Sequence, residues 1–473
     1  MTLLDLSPLF QFLGTVTGGP ENALIITGAI IKIALILAHV LGIIPLIIWA
    51  ERKIIGFVQD RPGPNRVGPF GLLQGMVDGA KLLMKEDFIP AGADRTLYLL
   101  APAIVLIPAF LAMCIIPWGP IIDGQTLLEF YTLFGLQSFW TPSSAMPLAV
   151  TNPNIGILYV FAIASIGVYG ITLAGWSSEN KWSLLGGIRA SAQMISYELS
   201  MSLSIIGVLL LVGSLNLYHI VDSQSGFWWN WNIFAQPLGF VLFLIAIFAE
   251  TNRLPFDLAE GEAELTGGFH TEYSSMKFAL FFLAEYANMI TASAIAATLF
   301  LGGYHLVPLE WATAAIAAPI NFYATSQAAV TIPETLPLLL ASLLAPLGLA
   351  LKISVFLFIF IMARASYPRL RYDQVMNLGW KIMLPAGLLN ITLTAIFVAV
   401  VVWFVAASPV EGVPLSESIS KAINDWKLVL GLVTLIVLVV ADRTWAARRR
   451  ARLTRKYRYY APDKNASAVP SAS

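Results

Sequence analysis

Nine apolar runs, at about 24–50, 97–117, 155–175, 192–215, 236–250, 276–302, 340–363, 382–406 and 428–441, divide this 473-residue chain. Most approach or exceed the roughly 18–20 residues that a helix needs to cross a bilayer, while the fifth and ninth are short. With 58% hydrophobic and only 12% charged residues, the chain carries more apolar surface than one soluble core can hide. The fold class expected is an all-α integral membrane protein with about nine transmembrane helices and amphipathic helices in its loops.

The cations agree with that count. Lys and Arg gather after the first run (Arg52, Lys53, Arg61, Arg66, Lys81, Lys85, Arg95), the third (Lys181, Arg189), the fifth (Arg253) and the seventh (Arg364, Arg369, Arg371). The loops after the second, fourth and sixth runs hold none. By the positive-inside rule the odd loops are cytoplasmic and the N-terminus is outside. A ninth span returns to the cytoplasm the last 32 residues, where nine Lys or Arg face two acids. That tail is solvated and touches anionic lipid. The start lacks a basic n-region, so the first helix is expected to act as its own signal. The long outer connections 118–154 and 303–339 read as decoration rather than chemistry, and no internal repeat favours an inverted-repeat transporter.

Acids are spread far less evenly. Seven of the 28, namely Glu250, Asp257, Glu260, Glu262, Glu264, Glu272 and Glu285, fall within 36 residues beside the fifth and sixth runs. Glu285 lies about ten residues into the sixth run, and Glu198, beside Tyr197, lies inside the fourth. A carboxylate inside a bilayer costs about 2.5–3.5 kcal/mol on insertion scales, so each needs a reason. Desolvation disfavours the charged form of a carboxyl, which is what a proton relay exploits. Glu250, Asp257, Glu260 and Glu264 would share one face of a continuous helix, although Pro255 argues against continuity. Pro255 followed by Asp257 and Glu260 also reads as a helix start. Arg253 is the one cation between Glu250 and Glu272, hence their counter-ion.

The first loop is patterned as well. Arg61 to Pro69, with three prolines and two glycines in nine residues, specifies a fixed non-helical turn. From Phe70 onward Leu72, Leu73, Met76, Ala80, Leu83 and Met84 recur at helical spacing with Asp78, Lys81 and Lys85 among the polar positions, an amphipathic helix at the membrane surface. Lys53, Lys85 and Arg95 read as snorkelling cations. Glu51, Arg52, Asp78 and Lys81 sit where a cavity entered from the membrane edge would meet cytoplasmic partners, and opposite charges in such a pocket can polarise a carbonyl ligand. Cys114 is the single cysteine and cannot supply an iron–sulfur cluster. His39, His219, His270 and His305 are scattered and read as hydrogen-bonded or interfacial side chains rather than haem ligands. No metal site is expected.

Four stretches together carry a resemblance: AERKIIGFVQDRPGPNRVGPFGLLQGMVDGAKLLMKED (50–87), NIGILYVFAIASIGVYGITLAGWSSENKWSLLGGIRASAQMISYELS (154–200), AETNRLPFDLAEGEAELTGGFHTEYSSMKFALFFLAEYANMI (249–290) and ARASYPRLRYDQVMNLGWKIMLP (363–385). The sequence resembles the quinone-module membrane subunit of respiratory complex I, the H-subunit family of NADH:quinone oxidoreductase. The resemblance implies an eight-helix membrane core over 1–407 with a quinone cavity and an acidic loop. It leaves 408–445 as an additional transmembrane helix and 446–473 as a basic, partly disordered cytoplasmic tail. It implies Glu51, Arg52, Asp78, Lys81 and Phe256 at the quinone, with Arg61, Asn65, Arg66, Arg189 and Arg369 in support. It also implies a proton-linked path of Tyr197, Glu198, Glu250, Arg253, Asp257, Glu260, Glu262, Glu264, Glu272 and Glu285.

By the same resemblance the chain holds no cofactor of its own and is inactive alone. Flavin and iron–sulfur clusters belong to partner subunits, the partners are the hydrophilic quinone-module subunits, other membrane subunits and lipid, and no nucleic acid is involved. The location implied is a bacterial plasma membrane. Departures are Asn152-Pro153-Asn154, where the family often carries an acid, and Gly75 and Ala259 in place of prolines, which should loosen both elements. The alternatives are the membrane anchor of a proton-translocating hydrogenase and, from another class, a stand-alone ion transporter.

Overall fold

The apolar runs fold as helices because only a helix satisfies a backbone in hydrocarbon within its own segment. The computed structural model describes residues 20–121, 147–259, 261, 265–306, 335–407 and 414–460, and no strand occurs among them. In chain order the helices are α1 (Pro20–Val58), α2 (Gln74–Met84), α3 (Arg95–Met113), α4 (Gly156–Ser177), α5 (Lys181–Val212), α6 (Leu217–Asp222) and α7 (Pro237–Glu250). There follow α8 (Ser275–Phe300), α9 (Thr335–Ser366), α10 (Tyr372–Leu378), α11 (Leu384–Ala407) and α12 (Leu415–Tyr460). A π-helical segment, Gly379–Met383, joins α10 to α11, so the two form one 36-residue span.

Eight of these helices are long and apolar enough to cross a membrane. The remaining apolar run, the fifth, behaves differently. At 14 residues α7 is about 21 Å long, short of the roughly 30 Å hydrocarbon core, and the chain beyond Glu250 leaves the helix. Residues 251–259 form no helix, and the Leu254–Pro255 peptide is cis. Neither the single acidic face nor a helix start at Pro255 is realised there: the segment is irregular because Pro255 cannot donate to a helical ladder. Irregular backbone is tolerated at this depth because protein covers it, and Gln193 of α5 ties it to the end of α7, donating to Ala249 O of the helix and Phe256 O of the segment at 2.7 Å each.

Local signals place the helix ends. Asp94 accepts from the backbone N–H groups of Thr96 and Leu97 and so starts α3, and Asn180 accepts from Trp182 N to start α5. The fourth span therefore begins about ten residues before its apolar run. Arg61 to Pro69 is the non-helical turn expected, and α2 follows it with no buried residue: Met76, Leu83 and Met84 are all exposed, as befits a surface amphipathic helix. Gly75 tightens rather than loosens this element. A Cβ there would stand 2.8 Å from Pro45 O, so glycine is what lets α2 press onto α1. The helix of α12 continues through the boundary drawn at 445 as far as Tyr460. The outer connections fall largely at 122–146 and 307–334, outside the described residues.

Candidate functional site

Glu51, near the loop-side end of α1, is 5% exposed and is met from three directions. The Tyr286 hydroxyl of α8 donates to its Oε2 at 2.7 Å, Arg253 reaches its Oε1 at 3.4 Å, and Arg364 of α9 pairs with the same oxygen. The Arg253 guanidinium also lies over the Tyr286 ring, 4.3 Å from its centroid. Burial opposes that charge, but Tyr286, Glu51 and Glu285 outweigh it and hold the Arg253 pKa above its ordinary value. One carboxylate between two guanidiniums leaves a surplus of positive charge in a poorly hydrated place. Such a site stabilises negative charge developing on a carbonyl oxygen.

Two cavities meet beside it. One, of about 1090 Å³ and mostly apolar, runs between α1, α2 and α8, with Leu41, Ile44, Val77, Met84, Phe278 and Leu283 among its walls. The other, of about 640 Å³, is lined by Glu51, Gln59, Arg61, Pro64, Leu254 and Arg364. Ile48, Arg52, Phe282 and Tyr286 border both, so the apolar cleft and the charged chamber lie side by side at Arg52. Arg52 is held there by Asp78 of α2 at 2.5 Å, and Asp78 also accepts from Gln74 at 3.0 Å.

Deeper in the bundle the acids follow one another. Glu285 is close enough to Arg253, Asp257, Arg364 and Glu51 to interact electrostatically with each, and Asp257 is paired to Arg369 at 2.7 Å. A void of about 30 Å³ is bounded by Glu285, Glu250, Asn288 and Thr251, and a neighbouring one of about 40 Å³ shares Glu250, Thr251 and Asn288 with it. Each has room for a water. Glu198 lies within electrostatic range of Glu250 and accepts a hydrogen bond from Ser165 of α4. Glu198, Glu250, Glu285 and Glu51 thus form a succession of buried and half-buried carboxyls ending at the chamber.

The other residues singled out in the sequence divide into four groups. Lys81 lines the apolar cleft, and Arg61 the chamber. Phe256 does not reach either cavity: its ring packs against Tyr197, 5.5 Å between centroids, while the Tyr197 hydroxyl donates to Val375 O. Glu272 stands apart, accepting from Asn180 Nδ2 at 2.7 Å; Arg189 lies over the Tyr372 ring; Asn65 and Arg66 are exposed. Glu260, Glu262 and Glu264 fall outside the described residues. Among those described, no group of three or more His, Cys, Asp or Glu side chains is placed to hold a metal ion.

Tyr286, Arg364, Gln193 and His270 were missed as site residues. Arg364 and Tyr286 lie 313 and 235 residues from Glu51, and no local pattern announces such pairings. Gln193 did carry a signal, being an amide inside an apolar run. His270 lies with Nε2 3.7 Å from Glu285 Oε1.

An all-helical membrane protein with an apolar cleft beside a half-open chamber that holds a buried, charge-paired carboxylate is the class that this fold and site define. The model of the NADH dehydrogenase family matches residues 31–395. The chain is 45% identical over 379 residues to one of the NADH-quinone oxidoreductase H subunits of Koribacter versatilis (strain Ellin345), covering 80% of this chain and 98% of that one. It is 46% identical to an H subunit of the same enzyme from Geobacter metallireducens, covering 77% and 94%, and 47% identical to the H subunit from Leptospira biflexa, covering 74% and 88%. The chain belongs to this family, that of the H subunit of NADH-quinone oxidoreductase.

Proposed function

We propose that this chain encloses much of the quinone path of a proton-pumping NADH:quinone oxidoreductase and couples quinone reduction to proton movement. The observation that carries the proposal is the junction of the two cavities at Arg52. The apolar cleft suits an isoprenoid tail and the charged chamber suits a quinone ring, with Arg52, Arg61 and Arg364 available to a carbonyl oxygen. The quinone takes two electrons from an iron–sulfur cluster in a partner subunit, and flavin chemistry lies further upstream in the complex. This chain supplies no redox group of its own.

Added negative charge on the ring draws on the two guanidiniums that Glu51 otherwise holds. A change in that field is felt by Glu285, and through the succession of carboxyls by Glu250 and Glu198. Asp257 and the rest of the acidic segment extend the same path. The odd-numbered loops face the cytoplasm and the hydrophilic quinone-module subunits, in a bacterial plasma membrane. The helix after residue 407 and the basic tail are additions to an eight-helix core. A quinone bearing a photoreactive group at the far end of a short tail, used on the assembled complex, should label the α2 and α8 walls around Met84 and Phe278. Labelling confined to other subunits or to the opposite face of this one would contradict the proposal.

A further inference from the structure

Glu285 lies about ten residues into α8, half-buried, and needs a route for its proton. His270 lies in the single-turn segment Gly268–His270, one residue from exposed Thr271, and is itself 7% exposed. Its imidazole lies beside the carboxyl, with Nε2 3.7 Å from Glu285 Oε1, and both ring nitrogens are shielded from solvent just beneath that turn. The ring is walled by Phe269 at 3.8 Å and by Phe278 and Phe281 at 5.4 Å each, centroid to centroid. The backbone beneath it is held as firmly. A Cβ on Gly186 of α5 would lie 2.7 Å from Gly268 Cα and 2.8 Å from Phe269 N, so that glycine lets the turn seat directly on the helix. A histidine fixed on four sides and aimed at a half-buried carboxylate is built to hold one position.

We infer that His270 is the positioning and proton-exchange residue of Glu285, passing protons between the loop-side surface and the acid path. The inference rests on the function proposed above. In the transfer, neutral His270 with its proton on Nε2 takes a second proton at Nδ1 from the surface side, through a water admitted by a small movement of the turn; the imidazolium then gives its Nε2 proton to Glu285 Oε1, leaving a carboxylic acid and the Nδ1–H tautomer, and tautomerisation through water restores Nε2–H. The two nitrogens make the ring a through-path rather than a store. The 3.7 Å separation is closed by a small rotation or bridged by one water. The other charges facing Glu285 are Arg253 and Asp257 from the connection, Arg364 from α9 and Glu51 from α1, with Glu250 across the void.

The test is His270→Gln in the assembled complex, with the pH profile of quinone reduction measured alongside KM for quinone. A changed pH profile, with turnover lowered about tenfold and KM unchanged, is expected. An unchanged profile at full turnover would overturn the inference. If the variant fails to assemble, the native complex decides: with ¹⁵N-labelled histidine, its redox-induced infrared difference spectrum should carry an imidazole band that Glu285→Gln removes. Absence of that band would overturn the inference equally. An E285Q complex impaired in pumping beside an unaltered H270Q complex would overturn the relay alone, whereas full pumping by E285Q would overturn the underlying proposal with it.

Discussion

The two ends of this helix bundle treat buried charge in opposite ways. At the loop-side end Glu51, Arg253, Arg364, Asp257 and Arg369 are paired with one another, side chain to side chain, around a cavity. At the other end three lysines inside apolar helices are paired with backbone. Lys32 donates to Pro147 O and Ala149 O; Lys352 donates to Leu301 O, Gly303 O and His305 O at 2.5–2.8 Å; Lys427 donates to Asn230 O at 2.6 Å and, besides that carbonyl, to the neutral amide of Asn424 at 3.2 Å. A backbone carbonyl cannot ionise or change partner when a ligand arrives, whereas a carboxylate between two guanidiniums can do both. The first arrangement stores a response and the second fixes a loop. Burial of charge therefore separates function from architecture only when the partner is named.

Breaking the responsive end should have the largest effect. Glu51→Ala leaves Arg253 and Arg364 without their shared counter-charge, a change worth about 3–5 kcal/mol for a buried pair. Thermal stability of the purified complex should fall and quinone reduction should be lost from what remains. Breaking the fixed end should cost stability alone. Lys352→Met strips the donors from three carbonyls, at about 1–3 kcal/mol for such a loss. It should lower the melting temperature while leaving turnover per assembled complex unchanged, and a selective loss of turnover would erase the distinction between the ends.

The smallest effect concerns pH. His305, in the connection after α8, has its pKa lowered to about 4 by burial and then by Lys352. The unfolded chain binds that proton near 6.5. The unfolded state therefore holds more protons between these values, and the stability that His305 contributes is complete above about 6.5 and lost as pH falls toward 4. Substitution by Gln should flatten the acid limb of the melting-temperature profile and leave its neutral region unchanged.

Much of this was legible in the sequence. Spans were readable because hydropathy is a local property, and the turn at Arg61–Pro69 because proline and glycine fix backbone directly. Glu198 and Glu285 stood out because a membrane penalises them. The same penalty applies to Lys352 and Lys427, which lie inside membrane-length helices as those acids do but were not singled out. What stayed hidden was tertiary: Tyr286 and Arg364 join Glu51 across more than two hundred residues, and the fate of 251–259 depended on Gln193 reaching over to hold it. The packing of Phe256 on Tyr197, away from both cavities, is set by the irregular path after α7, which no periodicity encodes.

The central claim is that the carboxyls behind the chamber couple its chemistry to protons. The most direct test is the ratio of protons pumped to NADH oxidised in assembled complexes carrying Glu198→Gln or Glu285→Gln. That ratio should fall in both variants, or quinone reduction should slow with it. Assembled variants that keep both the full rate and the full ratio would contradict the account.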